Sequence, residues 1–493
     1  MVRLSRIVVL VVLLAGLGAM ASAAFAQTPA TPPAAEAPKT DAAAPAAGAP
    51  AAPATPAAPK IDSGDTAWVL MSSALVLLMT APGLALFYGG MVRQKNALGT
   101  LMHSFIILAL ISVQWVLWGY SLAFGPDKGG IIGGLEWVGL RGVGQTPNAD
   151  YAATIPHQVF MLFQMMFAVI TPALITGAFA ERKKFSTFIV FILAWATLVY
   201  DPLAHWVWGV GGWLRNLGAL DFAGGTVVHI SSGVSALAAA LVIGKRRGFG
   251  HQPMPPHNLP LTVMGAGLLW FGWFGFNAGS ALSSGTSASL AFTTTFLAPM
   301  GTLVVWTFLD ILRHKKATAI GAATAIVVGL VAITPAAGFI SPMSAIILGG
   351  LAAVPSYYGL ILRAGTKLDD SLDVVAAHGV GGTVGALLTG VFAEKAWNGT
   401  ADGLLFGNPG QLGTQAIAVG AAIVYSGVLS FVLLKLVGLV TPLRASENDE
   451  GLGMDISQHN DEAYATGEGA TLVHPSSADQ IASHALATEV SRG

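Results

Sequence analysis

His229 and His378 each fall inside a long apolar stretch, one in either half of the chain. A titratable side chain at membrane depth is costly, and where it occurs it marks an ion, proton or substrate path. Small residues frame both, in Asp221-Phe-Ala-Gly-Gly-Thr-Val-Val-His229 and Asp373-Val-Val-Ala-Ala-His378-Gly-Val-Gly-Gly. Two neutral imidazoles in contact cannot both offer an N–H to each other. One donates and the other accepts, so their outward nitrogens take opposite roles. Such a pair can relay protons or hand a small polar neutral molecule along a narrow pore. It suits a hydrated permanent cation badly, since moving a bare ion into an apolar medium costs on the order of tens of kcal/mol. The cargo that fits is one able to shed its charge at a gate.

Aromatic residues offer somewhere to hold the charged form first. Trp270-Phe-Gly-Trp-Phe-Gly-Phe-Asn-Ala-Gly-Ser280 and Phe163-Gln-Met-Met-Phe167 carry ring faces that attract a cation by about 0.5–2 kcal/mol. Trp208 and Ser280, at the ends of their stretches, add a further face and a hydroxyl acceptor. Taken alone, an aromatic stripe at helical spacing is packing more often than a site; the order of aromatics followed by histidines is what points to a path.

The elements that must position these residues are membrane helices. Of 493 residues, 54% are hydrophobic and 10% charged, against roughly 25% charged in soluble domains. A net charge of −1 gives no basic face for nucleic acid, and the lack of cysteine excludes disulfides, thiolate metal sites and cysteine nucleophiles. At about 20 apolar residues per span, about eleven are expected, near 66–90, 101–124, 156–179, 185–208, 226–244, 260–281, 289–312, 317–335, 341–362, 374–392 and 413–440. Arg93 and Lys95, Arg182 to Lys184, Lys245 to Arg247, Arg313 to Lys316, Arg363 and Lys367, and Arg444 follow the odd-numbered spans. Positive charge stays on the cytoplasmic side, so the N-terminus is expected outside and the C-terminus inside. The fold class expected is therefore an all-α integral membrane protein.

Two halves of five spans then run in opposite orientations, an inverted repeat, and each half closes on a histidine helix. Asp221 is an N-cap candidate for the fifth span, and eight residues at 1.5 Å each put His229 about 12 Å below it. His378 lies about 7 to 14 Å in from Asp369 to Asp373 at the other side. Both reach the midplane of a core about 30 Å thick, where inverted-repeat transporters bind their cargo.

Outside the membrane region, residues 1–26 read as a signal peptide, with Arg3 and Arg6 before an apolar run and Ala24-Phe-Ala26 as cleavage site. Residues 27–60 are an Ala/Pro-rich tether, too proline-dense for a stable helix. The membrane domain spans 61–444, and 445–493 form an acidic, polar tail, with Glu450 to Gln458-His459 as a docking segment on the cytoplasmic face.

Four segments, Pro82-Gly-Leu-Ala-Leu-Phe-Tyr-Gly-Gly90, Asp221 to His229, Gly272 to Ser280 and His378-Gly379, resemble the ammonium transporter / Rhesus protein family, most closely its bacterial ammonium transporter branch. The resemblance implies eleven spans, a homotrimer with one pore per subunit, and ammonium and ammonia as cargo without a cofactor. It implies Trp208, Phe167 and Ser280 as the outer recruitment site, Phe167 and Phe276 as a stacked gate, His229 and His378 as the pore pair, and Asp221 in support. It also implies a bacterial inner membrane location with the tether periplasmic. A PII-class signal protein is the implied partner, docking on Pro256-His-Asn-Leu-Pro260, Lys245 to Arg247 and Glu450 to Tyr464. A sensor of ammonium is a second reading. A metalloenzyme lacks further ligands beside the histidines, and a potassium channel lacks a Thr-Val-Gly-Tyr-Gly filter.

Overall fold

Hydrocarbon offers no water to satisfy amides, so a chain this apolar must close its backbone hydrogen bonds within each segment, and it does so as helices. In the computed structural model, which describes residues 60–464, ten helices are long and apolar enough to cross a bilayer. They are α1 (Ser63–Met91), α2 (Gln94–Phe124), α3 (His157–Phe179), α4 (Phe185–Asn216), α5 (Gly225–Ile243), α6 (Leu259–Gly279), α7 (Thr286–His314), α9 (Pro342–Ala364), α10 (Val375–Phe392) and α11 (Pro409–Val440). Between α7 and α9 lies α8 (Ala319–Ile333), apolar but only 15 residues long. At 1.5 Å per residue it measures about 22 Å, short of a core about 30 Å thick. The eleven expected spans thus appear as ten plus one short apolar helix. The signal peptide expected over 1–26, the tether over 27–60 except its last residue, and the tail beyond Tyr464 lie outside the described residues.

The two histidine helices cross antiparallel. At one end, Gln415 of α11 accepts from Leu220 N ahead of α5 (2.7 Å) and donates to Ala386 O late in α10 (3.0 Å). At the other, Arg246, just past α5, donates to Asp369, just ahead of α10 (2.8 Å). Bare backbone lets them meet. A Cβ on Gly382 would stand 2.8 Å from the His229 Cβ, and one on Gly233 would run into the backbone of Gly379. Both helices open in a wide π-helical turn, Gly225–Ile230 and Val375–Val380, and those turns contain His229 and His378. Such turns gather at functional sites because they displace side chains from the regular helical register.

At the Asp370 end of the molecule, charges are buried in pairs. Glu181, 3% exposed, accepts from Arg93 N (2.7 Å) and Arg93 Nε (2.9 Å), and Arg246 reaches it at 3.3 Å. Arg182 is fully buried and donates to Gly244 O (2.7 Å), Asp369 O (2.6 Å) and Ser371 Oγ (2.6 Å). Segment 445–464 is strapped over these loops. Lys95 Nζ donates to Glu450 O (2.8 Å) and Gly451 O (2.6 Å), Glu450 accepts from Arg247 N (3.0 Å), and Asp455 accepts from Gly99 N (2.7 Å) near the start of α2. The loop Lys245 to Arg247 is therefore no free basic patch: Arg246 and Arg247 are both engaged within the chain.

Two stability predictions follow from this packing. Gly233→Val, which forces α5 and α10 apart, is expected to cost about 1–3 kcal/mol or abolish assembly. Gly420→Val, whose new Cβ meets nothing within 4 Å, should stay within about 0.5 kcal/mol; thermal unfolding in detergent compares them. Arg246→Ala strands the Asp369 carboxylate and leaves Glu181 to Arg93 alone, and should cost about 3–5 kcal/mol. Burial pushes both carboxyls up, but Arg246 and neighbouring arginines more than offset it, so both lie below their ordinary values of 3.8 and 4.5. Their stabilisation is complete above those values and is lost as pH falls towards the folded-state values. The Arg246→Ala protein should lack that acid-side loss in an unfolding series against pH.

Candidate functional site

Asp221 starts α5. Its Oδ1 accepts from Gly224 N (2.8 Å) and Gly225 N (2.6 Å), and its Oδ2 from Thr226 N (2.8 Å) and the Thr226 hydroxyl. These are the amides that a helix start leaves unpaired. Gly224 holds φ at 115°, a conformation open to glycine and strained for other residues. Burial pushes the Asp221 carboxyl above its ordinary range, against the pull of the Thr226 and glycine donors. Its carbonyl in turn accepts from Trp208 Nε1 (2.9 Å), so one residue both starts the histidine helix and fixes the tryptophan.

From Trp208 the aromatic groups run inward in contact. The Trp208 and Phe167 rings meet edge to face, 5.8 Å between centroids at 85°, and Phe167 stacks on Phe276 at 4.2 Å and 28°. One turn beyond Phe276, the Ser280 hydroxyl donates to the Phe276 carbonyl (2.9 Å). Trp208, Phe167 and Ser280 line one cavity of about 590 Å³, together with Gln164, Tyr151 and Arg215. Phe276, Trp273, His229 and His378 line a second, of about 330 Å³, otherwise walled by apolar side chains. The stacked phenylalanines form the partition between the two.

Inside the second cavity His229 and His378 approach with Nδ1 atoms 3.2 Å apart and ring centroids 5.2 Å apart. They are 1% and 3% exposed. At 3.2 Å one Nδ1 carries the proton and the other accepts it, so the two Nε2 atoms are of opposite kind, one acceptor and one donor. The Nε2 of His229 has no hydrogen-bond partner among the described residues.

All seven residues singled out from the sequence thus gather along one line, Asp221 from behind and the rest on the cavity walls. Two further positions beside these residues escaped that reading. Trp273 stacks on His229 at 5.5 Å and 28° and is pinned by Nε1 donating to Thr334 Oγ1 (2.9 Å). Its signal was its place three residues before Phe276, on the same helix face. Asp370 starts α10 with Oδ2 accepting from Val375 N (2.8 Å), and its spacing to His378 repeats that of Asp221 to His229. The sequence draws the eye to Asp373 instead.

The other histidines among the described residues line neither cavity. His205 binds Ala123 O (3.0 Å) and Asp127 Oδ1 (2.9 Å), and His157 binds the Tyr120 hydroxyl (2.6 Å). Asp201 is fully buried and accepts from Gln114 Nε2 (2.7 Å). Among the described residues no group of three or more His, Asp or Glu gathers to hold a metal.

A sequence profile of the Ammonium Transporter Family matches residues 67–464. The chain is 50% identical over 403 residues to the ammonium transporter of Bacillus subtilis, covering 81% of this chain and 98% of that one. It resembles the crystal structure of Saccharomyces cerevisiae Mep2 with a TM-score of 0.74 and 36% identity, over 79% of this chain and 89% of that one. A structure described as a sensor Amt protein matches at TM-score 0.74 and 30% identity, over 80% and 98% of the two chains. Profile, sequence and fold agree over the whole helical region: the chain belongs to the Ammonium Transporter Family.

Proposed function

We propose that the chain carries ammonium across the membrane by taking it up as the cation, removing its proton at the phenylalanine gate and passing ammonia along the two histidines. The observation that carries this reading is the partition itself. On one side of the Phe167–Phe276 stack lies a cavity with an indole face, a hydroxyl and an amide, and on the other a buried imidazole pair. Ring faces attract the cation by about 0.5–2 kcal/mol. No charged group lines the second cavity, so a cation that keeps its charge meets a desolvation cost there. Potassium cannot lose a proton. Ammonium can, and selection then rests on chemistry rather than diameter.

The basic residues that follow the odd-numbered helices support a cytoplasmic Asp370 end, with the Trp208 mouth outside and the chain in the inner membrane of a bacterium. The chain works as a homotrimer, one pore per subunit, and a PII-class protein docks on its cytoplasmic face. With Arg246 and Arg247 engaged within the chain, that docking falls to Pro256 to Pro260 and the 445–464 strap. The likeness to a structure described as a sensor Amt protein supports a second reading, in which ammonium is bound but not passed.

In proteoliposomes an ammonium jump should evoke a current that potassium does not. His229→Ala and His378→Ala should each abolish that current or let potassium share it. Equal potassium and ammonium currents in the unmodified protein would overturn the mechanism, and binding without flux would establish the sensor. Ser280→Ala and Trp208→Leu remove the outer acceptor and ring face. Each should raise KM for ammonium about 2- to 30-fold, the equivalent of about 0.5–2 kcal/mol, with kcat little changed.

A further inference from the structure

The cavity that offers an indole face and a hydroxyl to a cation also holds a cation of its own. Arg215, in the last turn of α4, lines it beside Trp208, Phe167 and Ser280. Among the described residues on that wall Arg215 alone is charged, and no carboxylate joins it. Its Nη1 donates to the Trp208 carbonyl (2.7 Å), and its guanidinium carbon lies 5.9 Å from the centre of the Tyr151 ring. Tyr151 is fixed in turn, its hydroxyl donating to Phe124 O (2.7 Å) and accepting from Val210 N (3.0 Å). The charge is therefore held at the wall of the cavity by a carbonyl and a ring face.

Nothing nearby cancels that charge by direct contact. Arg215 forms no ion pair among the described residues. Asp127 and Asp150, the acidic groups whose fields reach Tyr151, leave it unpaired, Asp127 being bound to His205 Nε2 (2.9 Å). Asp221 commits both oxygens to amides and a hydroxyl of its own helix start. A sphere of the cavity's volume, 590 Å³, is about 10 Å across, about one Debye length in 0.1 M salt. A cation inside thus feels the guanidinium whichever wall it rests on. Ammonia, being neutral, does not. A fixed positive charge raises the free energy of ammonium and leaves that of ammonia in place, which moves their balance towards proton loss.

We propose that Arg215 promotes the loss of the proton at the phenylalanine gate by destabilising ammonium in the outer cavity. This rests on the deprotonation reading above. The step balances: one N–H bond of ammonium breaks, its electron pair stays on nitrogen as ammonia, and an O–H bond forms on a water molecule that takes the proton. Arg215 touches none of the reacting atoms and acts through its field. A charge of this kind weakens binding of the cation and speeds the step that discharges it. Its removal therefore has a kinetic signature, a fall in KM and kcat together.

The test records ammonium currents from the full chain in liposomes, for the unmodified protein, Arg215→Gln and Arg215→Lys. Glutamine keeps an N–H donor for the Trp208 carbonyl and removes the charge, whereas lysine keeps the charge. Arg215→Gln should lower KM and kcat together, each about three- to tenfold, and Arg215→Lys should stay within about twofold of the unmodified protein. The difference should shrink as ionic strength rises from about 0.05 to about 0.5 M with N-methylglucamine chloride, which screens an exposed charge. A KM that is unchanged or higher in Arg215→Gln would make Arg215 a clamp on Trp208 alone and overturn the proposal. A lower KM with kcat unchanged would overturn it as well, because the charge would then repel the cation without helping to discharge it. Failure of the underlying reading looks different: the unmodified protein itself then carries no ammonium current, or carries potassium equally. Should Arg215→Gln not assemble by size-exclusion chromatography, Arg215→Met, equally uncharged, takes its place under the same criteria.

Discussion

The contact on which the rest depends is the 3.2 Å approach of two imidazole nitrogens across an antiparallel helix crossing. It requires two backbones to come closer than side chains normally permit. Gly233 and Gly382 provide the bare faces, Gly379 the facing backbone, and the π-helical turns swing the histidines inward from helices that would otherwise aim them elsewhere. Every nearby group answers to that geometry. Trp273 backs one ring while anchored to Thr334, and Asp221 fixes where α5 begins and so how deep His229 sits.

Charge is arranged around this neutral centre rather than in it. The starts of α5 and α10 each present the positive end of a helix dipole towards opposite mouths, and each is met by a carboxylate. Past the mouths, the Asp370 end carries a buried network of Arg93, Glu181, Arg246, Asp369 and Arg182, to which the 445–464 strap is fastened. The strap is therefore continuous with the residues that shape the inner mouth. A movement of either must break charge-assisted hydrogen bonds that are at least partly buried.

Much of this was legible in the chain because membrane physics leaves few choices. Long apolar runs must be helices, and a histidine within one must have a reason, which brought His229 and His378 forward before any coordinates. The aromatic site was legible from the order Trp208, Phe167, Phe276, Ser280 together with family likeness. What escaped needed three dimensions. Asp369, Asp370 and Asp373 look interchangeable as letters, yet Asp369 is held by Arg246, Asp373 by Arg363, and only Asp370 starts the helix. The loop Lys245 to Arg247 read as a solvent-facing basic run, and nothing local reveals that Glu181, 65 residues before Arg246, is waiting for it. α8 ends at Ile333 and turns follow directly, a break that periodicity alone does not show.

The same geometry decides which part of the path must move. Rings stacked at 4.2 Å leave no lane between Phe167 and Phe276, so on the proposed path each passage needs at least one ring to turn. The room for that turn lies on the Trp208 side, where the roomier cavity borders the stack, since the histidine side is close-packed. The histidines have no such freedom. His229 is held between the Gly382 backbone and the Trp273 ring, and rotation of either imidazole breaks the Nδ1 contact that assigns donor and acceptor. On the proposed path the moving parts are thus the ring side chains at the stack, while the paired histidines keep their places. The proposed path would conduct by local opening, with no need for one half of the molecule to rock against the other, even though its two halves run in opposite directions as they do in transporters that rock.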